Sequence, residues 1–126
     1  MIRLFLVRHG RTAWNEAGRF AGQMDPPLDA VGRRQAEALA ELLQGVPFEA
    51  AFTSDLRRAE ETAEIILRGR GLSPFIDPRL REASFGQWEG LTYAEIAAGD
   101  RERLKRWEAD PRKTPPPGGE SLEALA

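Results

Sequence analysis

IRLFLVRHG, residues 2–10, is an apolar run broken only by Arg3 that stops at the tripeptide Arg8-His9-Gly10. A run without polar alternation is the pattern of a strand covered on both faces in a parallel sheet. The chain beyond Gly10 repeats the order of strand, tight turn and helix. Asp29 is placed to cap a helix to about Gln44, with Val31, Ala38, Leu39 and Leu42 on one face and Gly45 and Pro47 as the stop. Residues 48–53 read as a second short strand. Ser54-Asp55 then caps a helix whose apolar stripe is Leu56, Ala59, Ala63 and Ile66. Residues 74–77 form a third expected strand, followed by a loop over 79–90. Thr92 with Glu95 makes a capping box that opens a helix to about Ala109, which Pro111 ends. PRKTPPPGG, residues 111–119, is a proline-rich connector, and Ser121 is another N-cap.

Only five residues come after Ser121, and a helix of that length does not sustain itself in water, where roughly 12 or more residues are needed. Three short strands are also few for three covering helices. The expectation is a single α/β domain over residues 1–126 that is incomplete at its C-terminus, lacking strand and helix there. An unpaired sheet edge invites a second copy of the chain, so a homodimer is expected.

Composition narrows the function classes. The 126 residues carry 18 Lys and Arg against 20 Asp and Glu, for a formal charge of −2. That balance argues against nonspecific nucleic-acid binding, which draws on surplus cations over phosphate. There is no cysteine and one histidine, so thiolate chemistry is excluded and neither a metal nor a cofactor is expected. No apolar run approaches a membrane span, and residues 1–10 lack the form of a signal peptide, so a cytoplasmic location is expected.

The candidate chemistry gathers where strands end and helices begin, the usual ligand position of an open parallel sheet. Arg8 and Arg58 converging on one point would grip a dianionic phosphate through two planar forks. Their field would lower the pKa of His9 and keep it neutral and nucleophilic. Gly10 permits close backbone approach, Asn15 can donate to a phosphate oxygen, and Glu82 can pass a proton to a leaving oxygen. Each residue alone also has a structural reading. A lone histidine is commonly a hydrogen-bonder, Arg57-Arg58 a solvated face, Thr12 a helix cap, and Trp14, Phe20, Phe85 and Trp88 core or pocket wall.

The combination resembles the histidine phosphatase superfamily, the phosphoglycerate-mutase-like proteins. Five ordered blocks carry the likeness: LVRHGRTAWN, PLDAVGRRQA, TSDLRRAEETA, LREASFGQWEG and PPPGGESL. The resemblance implies a three-layer α/β/α fold with a mostly parallel sheet. It also implies that His9 accepts the phosphoryl group, that Arg8, Asn15, Gly22 and Arg58 hold phosphate or substrate, and that Glu82 is the proton donor. The compact loop LREASFGQWEGLTYAEI is similar to that of the small phosphatases, among them the alpha-ribazole phosphatases, and implies hydrolysis of a small phosphorylated metabolite. RFAGQM, residues 19–24, departs from the Gln-Gly often seen there by placing Ala21 before Gly22. The family also carries a second histidine in a SHGG-like turn, for which this sequence has no residue; its expected position lies beyond Ala126. Weak activity or none is therefore expected of this chain. A phosphoglycerate mutase and a noncatalytic phosphate- or partner-binding module are the alternatives.

Overall fold

Capping side chains decide where most of the helices start. In the computed structural model, which describes residues 1–126, Thr12 Oγ1 accepts the Asn15 N–H and opens the four-residue helix α1 (Ala13–Glu16). Asp29 Oδ1 accepts the Gly32 N–H at 2.7 Å at the head of α2 (Ala30–Leu42). Helix α3 (Arg57–Leu67) has no cap of its own. The Asp25 carboxylate substitutes for the predicted Ser54-Asp55 cap by accepting the Arg57 N–H at 2.6 Å, while Asp55 pairs with Arg81. The single helix predicted from Thr92 to about Ala109 is two, α4 (Tyr93–Gly99) and α5 (Arg101–Ala109). The break falls at Asp100, whose φ of −151° and ψ of 56° leave the helical region, beside a glycine that weakens helix continuity. Ser121 caps α6 (Leu122–Leu125) as predicted.

Strands β1 (Phe52–Thr53) and β2 (Phe75–Ile76) pair in parallel, Phe52 opposite Phe75 and Thr53 opposite Ile76. The Phe75 N–H donates to the Ala51 carbonyl and the Asp77 N–H to the Thr53 carbonyl, both at 2.8 Å. The parallel α/β arrangement is the predicted one, although both strands are shorter than expected. Residues 2–7 depart further. They join no ladder, and Ile2 and Leu6 remain 93% and 88% exposed. A strand is buried only by what pairs with it and packs over it. Here Phe5 stands edge-on to Phe48, with ring centroids 5.4 Å apart.

The helix faces are also turned from those predicted. In α2 the buried residues are Gly32 and Ala36, while Ala38 and Leu42 face solvent. Small residues are required because the segment at Gly10 and Arg11 crosses this face backbone to backbone: a Cβ on Gly10 would stand 2.5 Å from the Gly32 carbonyl oxygen. Leu56, just before α3, and Ile66 within it are buried as predicted, but Arg58, Thr62 and Ile65 share the inner face and Ala59 and Ala63 are only half-buried. Burying Arg58 is tolerable because two of its donors are satisfied by the Met24 and Gly22 carbonyls.

Two small cores result. Leu28, Ala36 and Ile65 pack between α2 and α3. Trp88, Ile96 and Leu104 form the second, with Phe20, Phe85 and Trp107 against it. Its aromatic rings meet largely edge to face, Trp88 and Trp107 at 5.7 Å and Phe20 and Phe85 at 5.1 Å, the arrangement favoured by ring quadrupoles.

Candidate active site

His9 follows directly from the Gly10 crossing. The Gly10 N–H donates to Thr62 Oγ1 at 3.0 Å, and that hydroxyl donates to the Arg58 carbonyl at 2.7 Å. The turn is therefore fixed to α3 on one side and to Gly32 of α2 on the other. His9 Nδ1 lies 2.6 Å from the Gly10 carbonyl oxygen. A carbonyl can only accept, so Nδ1 carries the hydrogen and the neutral ring keeps a lone pair on Nε2. Burial, the largest cause, holds the His9 pKa below its usual 6.5. The Gly10 hydrogen bond opposes it, the positive charges of Arg58 and then Arg8 add to the lowering, and Glu82 opposes.

Arg58 is 3% exposed. It donates to the Gly22 carbonyl at 2.6 Å and to the Met24 carbonyl at 2.7 Å, which leaves three of its five N–H donors for another acceptor. Burial lowers its pKa, and the carboxylates of Glu82, Asp25 and Glu89 act against that. Arg8 is exposed and Glu82 is exposed, its carboxylate accepting the N–H of Ala83 at 3.1 Å. His9, Arg8, Arg58 and Glu82 thus share one electrostatic neighbourhood although they span residues 8 to 82. His9 and Arg8 border a cavity of about 200 Å³ that Thr62 and Gln35 also line.

Asn15 and Gly22 have structural duties. The Asn15 side-chain oxygen accepts from the Thr12 N–H at 2.9 Å and the Thr12 hydroxyl at 3.1 Å, completing the box that caps α1; its amide hydrogens are not spent on the cap. Thr12 is accordingly a helix cap. Gly22 has φ +52°, and a Cβ there would fall 2.4 Å from Glu89 Oε1, so the turn that offers its carbonyl to Arg58 requires glycine. Arg11 is occupied by Asp29 at 2.7 Å and Glu16 at 2.6 Å.

Thr62, Gln23, Glu89 and Glu120 also hold the site together, beyond the residues that the motifs single out. Glu89 Oε1 accepts the N–H groups of Gln23 at 3.0 Å and Phe85 at 3.1 Å, tying the Gly22 turn to the loop after β2. Glu120 Oε1 accepts the Ser84 N–H at 2.9 Å and Gln23 Nε2 at 3.1 Å. Thr62 had a visible signal: positions 58, 62, 65 and 66 have helical spacing and mix two polar residues into an inward face. The two glutamates had none, since their partners are backbone groups supplied by distant loops.

A cationic turn that carries a half-buried imidazole and is bonded to the helix of a buried arginine defines a class, and comparison with known proteins agrees. The profile of the histidine phosphatase superfamily (branch 1) matches residues 4–126, and the chain belongs to that family. It is 38% identical over 124 residues to the adenosylcobalamin/alpha-ribazole phosphatase of Salmonella typhimurium, covering 98% of this chain and 61% of that one. It is 42% identical over 130 residues to 2,3-bisphosphoglycerate-dependent phosphoglycerate mutase 2 of Gloeobacter violaceus, covering 100% of this chain and 59% of the relative. The crystal structure of the alpha-ribazole phosphatase from Shigella flexneri superposes with a TM-score of 0.88 at 36% identity, over 94% of this chain and 59% of that one. The fold is therefore the phosphoglycerate-mutase-like α/β fold that the motifs imply. The chain spans about three fifths of the length of these relatives. No helix in it is long and apolar enough to cross a membrane.

Proposed function

We propose that the chain carries the phosphate-accepting part of a phosphomonoesterase that works through a phosphohistidine. The observation that carries this reading is the His9 ring, with Nδ1–H held on the Gly10 carbonyl at 2.6 Å and its pKa lowered by burial, Arg58 and Arg8. His9 Nε2 attacks phosphorus as the bond to the ester oxygen breaks, and Glu82 passes its proton to that oxygen, releasing the alcohol. Water then attacks the phosphohistidine, the P–N bond breaks and the water proton returns to Glu82. Arg8 and the unspent donors of Arg58, with Asn15, hold the phosphate oxygens, and Gly22 fixes the turn that orients Arg58.

The substrate is a small phosphorylated metabolite. An alpha-ribazole phosphate is supported by the names of two relatives. A cytoplasmic protein without bound metal or nucleic acid fits the composition, and a homodimer fits an unpaired sheet edge. Residues 1–126 hold one histidine, and the second that the family likeness implies is not among them. Absence of one electrostatic stabiliser commonly costs about a hundredfold or more, so slow turnover is expected of residues 1–126 by themselves. The relative from Gloeobacter violaceus favours phosphoglycerate mutation as a second reading.

The test is hydrolysis of an aryl phosphate by the chain and by His9→Ala, with acid-labile, base-stable phosphoryl labelling of His9. Equal turnover by the two proteins removes the nucleophile. Formation of 2-phosphoglycerate from 3-phosphoglycerate would move the assignment to a mutase, and phosphate binding without a label would leave a binding module.

A further inference from the structure

A cavity larger than the one beside His9 lies next to Glu82. It has a volume of about 400 Å³ and is bordered by Glu82, Phe85, Trp107, Glu108, Glu120 and Leu122, a size suited to a small organic group. The proton donor of the proposed reaction stands on its rim, so a group leaving with the ester oxygen that Glu82 protonates has this space to occupy. Phe85 and Trp107 supply flat apolar wall, their centroids 6.1 Å apart.

The charge of the lining is one-sided. Three carboxylates border the cavity and no lysine or arginine does. Two of them are held in place: Glu120 by Ser84 and Gln23 through Oε1, and Glu108 by the Tyr93 hydroxyl. Both bonds of Glu120 fall on one oxygen, so Oε2 has no protein donor. Carboxylates beside aromatic faces attract cations and N–H donors and repel anions.

Resting on the phosphomonoesterase reading, we propose that this cavity is the leaving-group pocket and that it selects esters of aromatic alcohols that are neutral or cationic. It rejects alcohols that carry a second anion, and thereby acts against phosphoglycerate chemistry. Glu108 and Glu120 are the residues that set the charge preference, and Trp107 with Phe85 the preference for a ring.

The experiment is calorimetric binding of inorganic phosphate, phenyl phosphate, tyramine O-phosphate and 3-phosphoglycerate to the full chain and to Glu108→Arg. The expected result is that both aryl esters bind at least tenfold more tightly than inorganic phosphate and 3-phosphoglycerate no more tightly than inorganic phosphate. Glu108→Arg, on an exposed position of α5, should improve 3-phosphoglycerate relative to tyramine O-phosphate by tenfold or more. If inorganic phosphate binds but the esters do not differ, or if Glu108→Arg leaves their ratio unchanged, the pocket assignment falls and the phosphate site stands. If inorganic phosphate and all three esters fail to bind, both fall.

Discussion

Gly10 and Thr62 are joined by a 3.0 Å hydrogen bond from backbone N–H to hydroxyl across 52 residues, and the same hydroxyl donates to the Arg58 carbonyl. The turn that carries the imidazole and the helix that carries the buried guanidinium are thus one hydrogen-bonded unit.

Thr62→Val keeps the shape but orphans the buried Gly10 N–H, which costs about 1–3 kcal/mol. The urea midpoint should fall accordingly, and phosphate affinity with it. Thr62→Ser, which restores the hydroxyl, should recover most of both.

Gly22→Ala places a methyl group 2.4 Å from Glu89 Oε1 at a φ of +52°. Strain in such a region costs on the order of 1–3 kcal/mol. The change should lower stability by that amount and also weaken phosphate binding, because the Gly22 carbonyl is what Arg58 holds. By contrast, Gly45→Ala, where nothing stands within 4 Å and φ is not positive, should leave binding unchanged in the same titration.

Acid should weaken the fold through His9. Its folded pKa lies below the usual 6.5, so between the two values the unfolded chain binds more protons and stability rises with pH. The contribution is complete above about pH 6.5 and is lost as pH falls through the folded value. Urea midpoints of the wild type and His9→Gln, measured from neutral to acid pH, should converge on acidification, and a constant gap would contradict the burial of the ring.

Ile96 is 1% exposed in the aromatic core, whereas Leu6 is 88% exposed. Ile96→Ala should cost about 2–5 kcal/mol, and Leu6→Ala should stay within about 0.5 kcal/mol. Chemical denaturation of the two variants side by side measures how little residues 2–7 add.

Local rules read well what is locally determined. The caps at Asp29, Thr92 and Ser121 were legible because side chain and N–H lie within three residues of each other. The β2 strand and the parallel pairing were legible from apolar runs between helices. Residues 2–7 misled because an apolar run reports the tendency to be buried, while burial itself depends on neighbours elsewhere in the chain. The inner face of α3 misled because a rule that sends arginine outward cannot see the Gly22 and Met24 carbonyls waiting for Arg58. Likewise, the motif around His9, Arg8, Arg58 and Glu82 could be picked out residue by residue, but Asn15 is partly occupied by the α1 cap, and the Glu89 and Glu120 bridges arise only from loop folding.

The nucleophile candidate and the acid candidate stand on separate foundations. His9 is seated over the aliphatic cluster of Leu28, Ala36 and Ile65, through Gly10, Thr62 and Gly32. Glu82 leads into the loop anchored on the tryptophans. What joins them is polar rather than a shared apolar core, Glu89 and Glu120 accepting from Gln23 and Asp55 pairing with Arg81, so on warming the two halves should drift apart before either one melts, and catalytic alignment should be forfeited while the circular dichroism of the helices still looks native.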